Sequence, residues 1–362
     1  MIQPHALATR GRTRLQPEIL GGLAQLKLAT GLQALSFRCD APVTACLPWV
    51  IASAESAVSS GTAHHAWGVV LRDGDGEAHA AAVLLELTTP SGPALRLAGA
   101  EGGYRTAMLS LDDHAAAALA ESLLAILQGR GVSFGLALGP VDVHDPVVER
   151  MSLALQDWAL DGSSEVPVVR RTGPAEATEY LTPSVRRTLR KVRNRLHTDG
   201  IQSQVTFTRE RHRILRLLPG MALAYRDRDE AHGLAADLPE SAANNDPGWS
   251  LFAARVKALA GQGGMEVATL ELNGELAAYV VGFDDGHAYR VMDGRFVSSW
   301  ARYSPGRLLE TAVLQRMIDD PSKTSLDWMT SIAPESLLVA NQVERVVTMR
   351  ARIDPYDTRR QY

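Results

Sequence analysis

A chain of 362 residues is too long for one ordinary compact core, and at roughly 150 residues per domain two domains are expected. With 46% hydrophobic and 22% charged residues it reads as globular, and a formal charge of −4 makes any strongly cationic stretch a local feature. No stretch reaches the ~18 uncharged apolar residues that span a bilayer, and no basic segment, apolar run and cleavage site open the chain. A cytoplasmic protein without membrane insertion is therefore expected.

Arg10, Arg12 and Arg14 open the chain without an acid among them, either as a frayed terminus or as a targeting or phosphate-contacting arm. Cys39 and Cys46 are the only cysteines, too few for a disulfide scaffold, and no further Cys or His completes a zinc pattern; no metal is expected. His64 and His65 are adjacent, so on a helix or strand they point apart.

The segment "AWGVVLRDGDGEAHAAAVLLELTT" reads as strand, Asp-Gly-Asp-Gly turn, strand, and "ALRLAGA" as a third strand. A helix from Asp112 to Gln128, the run "VSFGLAL", a helix from Pro146 to Trp158 and the strand "VPVVR" follow. The turn "EGGYRTAMLSLDD" holds Gly102 and Gly103, but no helix begins at them.

Residues 182–200, "TPSVRRTLRKVRNRLHTDG", carry a capping Thr182, Pro183 at the first helical position and a closing Gly200. Val185, Leu189, Val192 and Leu196 form one narrow apolar stripe. Arg186, Arg187, Arg190, Lys191, Arg193 and Arg195 cover the other faces without an acid, either as a solvated face between domains or as a surface for phosphates. Then "MEVATLELNGELAAYVVGF" repeats strand, Asn-Gly turn, strand; "HAYRVMDG" is a third strand, a helix opens at "YSPGRLLE", and "KTSLDWM" is a short strand. Hairpin, third strand, helix and strand thus occur twice, which argues for a tandem duplication. The expected fold is α/β with mixed sheet. Its divisions are a first domain at 1–171, a basic linking helix at 172–202 and a second domain at 203–362.

Ser304 is a good N-cap and Pro305 suits the first helical position. Gly306 costs helix stability on the order of 1 kcal/mol against alanine. Either it is a glycine tolerated near a helix end, or it lets an anion approach the N–H groups of Gly306, Arg307 and Leu308.

The ordered combination of basic helix, Asn-Gly hairpin and Tyr-Ser-Pro-Gly helix over residues 180–330 resembles the acetyltransferase branch of the GNAT superfamily found with bacterial cellulose-synthesis proteins. That branch is similar to the Fem-type aminoacyl transferases. The resemblance implies two tandem GNAT-like domains, the first degraded, and N-acyl transfer to the amine of a small-molecule acceptor. It implies acyl-CoA as co-substrate, held at Ser304, Gly306, Arg307, Leu308 and Leu309, with the pantetheine arm between two splayed parallel strands. Here Ser304 stands where the family's first glycine lies, and Pro305 removes one donor. Fem-type relatives also lack the strict glycine pattern, so aminoacyl-tRNA, bound by the cations of the basic helix, is the alternative donor. A binding module that keeps the fold without catalysis is a third reading.

Acyl transfer from an activated ester or thioester asks the protein to orient the amine, take its proton and stabilise an oxyanion. Asp293 in "VMDGRF" is the candidate base, or a turn aspartate before Gly294. Asp327 in "SLDWM" ends the strand after the helix, where open α/β sheets place ligand groups, or serves as a cap. Tyr303 and Ser331 are candidate proton donors to the leaving group, and His287 reads as a turn residue.

Overall fold

The computed structural model describes residues 14–155, 158–173, 175–231, 247–329 and 340–355. Arg10, Arg12 and Ser331 lie outside them. The first half runs β1 (Gln16–Leu20), α1 (Leu23–Leu28), α2 (Leu32–Arg38), α3 (Leu47–Ser59), β2 (His65–Arg72), β3 (Ala78–Thr89), β4 (Gly92–Leu97), β5 (Leu109–Ser110), α4 (Asp113–Gln128), β6 (Phe134–Asp142), α5 (Pro146–Ala154) and β7 (Trp158–Arg170). The second runs α6 (Ala177–Tyr180), α7 (Pro183–Thr198), β8 (Ser203–Thr208), α8 (Arg211–Ala231), α9 (Pro247–Leu259), β9 (Met265–Leu272), β10 (Glu275–Asp285), β11 (Ala288–Phe296), α10 (Pro305–Asp319), β12 (Ser325–Asp327) and β13 (Gln342–Ile353). The helix expected to run from Pro146 to Trp158 stops at Ala154. Trp158 instead opens β7, where it pairs with Ala351 of β13.

One sheet joins the halves in the order β1-β2-β3-β4-β6-β13-β7-β12-β11-β10-β9-β8. Read inward from either edge, each half contributes an edge strand, an antiparallel three-stranded meander and then a parallel strand; the meander and the strand after the helix are the repeat seen in the sequence, and the edge strands β1 and β8 add to it. At the centre the halves exchange strands. β7 follows β6 in the chain yet pairs with β12 of the second half, while β13 follows β12 and pairs with β6 of the first. The two exchanged strands also pair with each other, so the halves cannot separate without breaking the sheet.

Each half buries both sheet faces. In the first, α4 and α5 cover one face, with Leu119, Leu123 and Val147 in its core; α1, α2 and α3 cover the other. In the second, α7 and α10 cover one face. The predicted stripe of Val185, Leu189, Val192 and Leu196 is buried there beside Leu309, Val313 and Met317. The opposite face packs on α8 and α9 and also receives Val43, Cys46 and Trp49 from the first half. Asn273 and Gly274 both take positive φ, at 52° and 81°, the geometry that a tight two-residue hairpin requires and that Asn-Gly accepts at low cost.

Candidate active site

β11 and β12 run parallel for three residue pairs, ending at Arg290 opposite Asp327. Beyond this point β12 stops, while β11 continues to Phe296 paired, among the described residues, with β10 alone. Among the described residues the two strands thus part here, and the β11 edge from Val291 onward has no strand partner on the β12 side. The following helix, α10, starts on one face of this splay.

Asp293 sits inside β11, not in a turn. Regular alternation from Tyr289 and Val291, both in the core under α7 and α10, would point it to that same face. Val281 pairs with Asp293 but the adjacent Gly282 pairs with Val291, leaving Met292 as an extra residue. This bulge turns Asp293 to the other face, beside Tyr279, whose hydroxyl donates to it at 2.7 Å. Arg295 Nε donates to the second carboxylate oxygen at 3.2 Å, and its guanidinium lies 4.1 Å from the Tyr225 ring centre. Burial, and then the Asp293 carboxylate, push the Tyr279 hydroxyl well above its ordinary value, so it remains a proton donor. The same two causes raise Tyr104, which the first half brings to this place.

Asp327 is 3% exposed. One of its oxygens accepts from Arg290 Nη1 and, at 3.4 Å, from Arg105 Nη1; the other accepts from the Met329 N–H at 2.7 Å. With both oxygens engaged, it is a bridge between the halves rather than a group turned to a substrate. Arg105 also donates to Asp142 and Glu344, each at 2.6 Å. Tyr303 is buried, and its hydroxyl donates to Asp199 at 2.8 Å, at the C-terminal end of α7. It belongs to the core under α7 and α10, so it does not join Asp293. His287 is exposed in the β10–β11 turn.

At α10 the expected N-cap takes another form. Ser304 lies in the left-handed region at φ 46° and its side chain makes no capping bond. A glycine adopts this conformation freely, which explains why that residue type suits the position. Fewer donors face outward than the sequence suggests: Pro305 has no N–H, and the Leu308 N–H is given to the Ser304 carbonyl at 3.2 Å. Leu309 is a core side chain, and Arg307 pairs with Glu310 at 3.0 Å. Gly306 is helical, and a Cβ there would stand 3.5 Å from the Phe296 ring, an ordinary contact.

The α7 cations Arg186, Arg187, Arg190, Lys191, Arg193 and Arg195 are all exposed. Arg195 donates to the Arg302 carbonyl, and Arg302 pairs with Asp199, so the helix end is tied to the turn that leads into α10. The other five have no ion-pair partner among the described residues. Among those residues no group of three or more His, Cys, Asp or Glu is placed to hold a metal ion, and no helix is long and apolar enough to cross a membrane.

Sequence reasoning missed Tyr279, Arg295, Arg290 and Arg105. Tyr279 alone left a signal, as the one residue with a polar tip in the apolar run "LAAYVVGF".

Residues 183–334 match the family described as acetyltransferase (GNAT) domain. No curated protein sequence matches the chain. Among solved structures, FemX is similar at a TM-score of 0.61 and 11% identity, over 89% of this chain and 96% of that one. A conserved protein of unknown function from Bacteroides thetaiotaomicron is similar at a TM-score of 0.54 and 12% identity, over 94% of this chain and 99% of that one.

Proposed function

We propose that this chain, whose residues 183–334 match the acetyltransferase (GNAT) domain family, is an acyl-transfer enzyme that moves an acyl group from acyl-CoA onto the amine of a small molecule. The observation that carries this reading is the splay past Arg290 and Asp327, with α10 on one face and Asp293 turned by its bulge to the other. A donor enters from the α10 side, its phosphates near Ser304, Gly306 and Arg307, and lays its acyl group along the open edge of β11. The acceptor approaches from the face of Tyr279 and Tyr104. Asp293 takes the proton of the ammonium, the freed amine attacks the carbonyl, and as the tetrahedral intermediate collapses the C–S bond breaks and the departing thiolate takes the second proton of the attacking nitrogen. Juxtaposing amine and thioester supplies ~7–11 kcal/mol of the barrier reduction, so few groups are needed beyond the base. Tyr279 and Arg295 hold the carboxylate in place. Asp327 is a positioning residue that fixes the end of β12.

A thermal-shift screen tests the donor. Acetyl-CoA at 100 times its dissociation constant should add ~2.7 kcal/mol of stability. No shift with any CoA thioester would contradict the reading.

Aminoacyl-tRNA is the second reading, favoured by the unpaired cations of α7. The helix is 16 residues long; such a length spans about 24 Å, more surface than one nucleotide's phosphates need. If tRNA binds, replacing Arg187, Arg190 and Lys191 by Gln should flatten the log–log salt dependence by ~0.7–0.9 for each phosphate no longer neutralised. An unchanged slope would reject tRNA as the ligand of this face.

A further inference from the structure

The residue directly past the last β11–β12 pair is Trp328, 5% exposed. Its indole N–H is buried and has no hydrogen-bond partner among the described residues. A buried donor without an acceptor is costly and therefore rare, so it calls for an explanation. Of two other buried tryptophans, Trp67 shares the unpaired N–H and Trp49 does not. Trp49 donates to the Gly99 carbonyl at 3.0 Å; Trp67 has an unpaired N–H too, but it lies in the first half, with the Arg130 guanidinium 4.6 Å from its ring centre.

The chain around Trp328 is fixed from three sides. The Trp328 N–H of the backbone donates to Pro167 of β7 at 3.2 Å, and the Met329 N–H donates to Asp327. The Met329 carbonyl accepts from the Arg105 N–H of the first half at 3.1 Å. Met329 itself stands at φ 65°, a left-handed conformation that a long L side chain rarely adopts. The kink follows Trp328, one residue past the end of β12. It leaves the indole on the α10 face, in the core cluster that holds Tyr289 and Val291 of β11.

We infer that the Trp328 indole N–H donates a hydrogen bond to the carbonyl oxygen of the activated acyl group. This rests on the proposed acyl transfer through the splay. The carbonyl is common to a CoA thioester and to the ester of an aminoacyl-tRNA, while free CoA and uncharged tRNA lack it. The bond therefore favours the loaded donor over the spent one, and it explains why the free protein carries an unsatisfied indole there.

Affinities of acetyl-CoA against CoA, and of bulk aminoacyl-tRNA against the same pool after ester hydrolysis, test this in the wild type and in Trp328→Phe. Phenylalanine keeps most of the packing and removes only the donor. The wild type should prefer the loaded form of its donor, and the variant should lose about tenfold of that preference. The indole 15N–1H signal that is missing from the variant should also move downfield in the wild type with the loaded donor and not with the spent one. A preference equal in both proteins, or an unmoved indole signal, overturns the inference and leaves acyl transfer standing. A wild type that binds neither donor pair overturns acyl transfer and this inference together.

Discussion

The two halves bring a meander to a parallel strand in the same way and then diverge. In the first, β4 pairs with β6 over three residues, as β11 does with β12, but the opening beyond is filled by the chain itself: Thr106 bridges to Val141, and its N–H donates to Pro140 at 2.8 Å. Where β11 carries one extra residue, Met292, the first half lets ten residues, 99–108, leave the sheet between Ala98 and Leu109. Counted back from the last parallel pair, Ala81 of β3 corresponds to Tyr279 of β10, so Leu109, which pairs with Ala81, stands where Arg295, a partner of the candidate base, lies in the second half. Behind Leu109 is a cavity of about 30 Å³ walled by Ala81, Ala82, Ala98 and Leu97. The helices differ in the same sense. Asp112 caps α4 by accepting from the Ala115 N–H at 2.8 Å, placing a carboxylate where a bound phosphate would lie; α10 has no side-chain cap and an arginine in its first turn. A helix end that carries its own anion has no use for a ligand's. The ten-residue excursion instead serves the second half, bringing Tyr104 toward Asp293 and Arg105 to Asp327.

The sharpest way to break this division of labour is to undo the docking of the excursion. Arg255 of α9 is 2% exposed, donates to Ser53 of α3 and to the Glu101 carboxylate at 3.1 Å, and lies 4.1 Å from the Trp49 ring centre. Burial lowers its pKa, yet Glu101 beside it favours the charged form. Arg255→Ala removes the close partner of buried Glu101 and leaves it only the Gly99 N–H and Arg96 at 3.7 Å, and should cost about 3–5 kcal/mol in urea unfolding. A loss below about 1 kcal/mol would mean that the excursion is held elsewhere. A smaller effect sharpens the contrast of the helix ends. Ser304→Gly relieves a left-handed serine and should raise stability by up to about 1 kcal/mol, without loss of donor affinity. A drop in stability would show that the serine side chain is needed at this turn.

Much of the fold was legible because it is written in local periodicity. The four apolar positions of α7, the Asn-Gly hairpin and the repeated order of elements all appear in the structure, since neighbours in sequence decide them. The exchange of β7 and β13 was not legible: only the end of β7, "VPVVR", is expected as a strand and β13 is not, and their partners lie across the halves. The site divides along the same line. Asp293 could be picked out by type and by its place near the end of a strand, but its direction depends on the register between β10 and β11, which one residue at Met292 reverses. Asp327 looked free because its partners, Arg290 and Arg105, are 37 and 222 residues away. Ser304 is an N-cap by residue type, but it also ends the short helix Ser298–Tyr303, where it takes the left-handed conformation.

The central claim is that the second half alone performs the chemistry, with Asp293 as the base. Turnover of Asp293→Asn at saturating donor tests it most directly, because asparagine keeps the acceptor for the Tyr279 hydroxyl and removes the basic oxygen. The account predicts a fall of about 10²–10⁴-fold in kcat with the donor dissociation constant unchanged. Turnover within about twofold of the wild type, in a variant that melts normally, would contradict it.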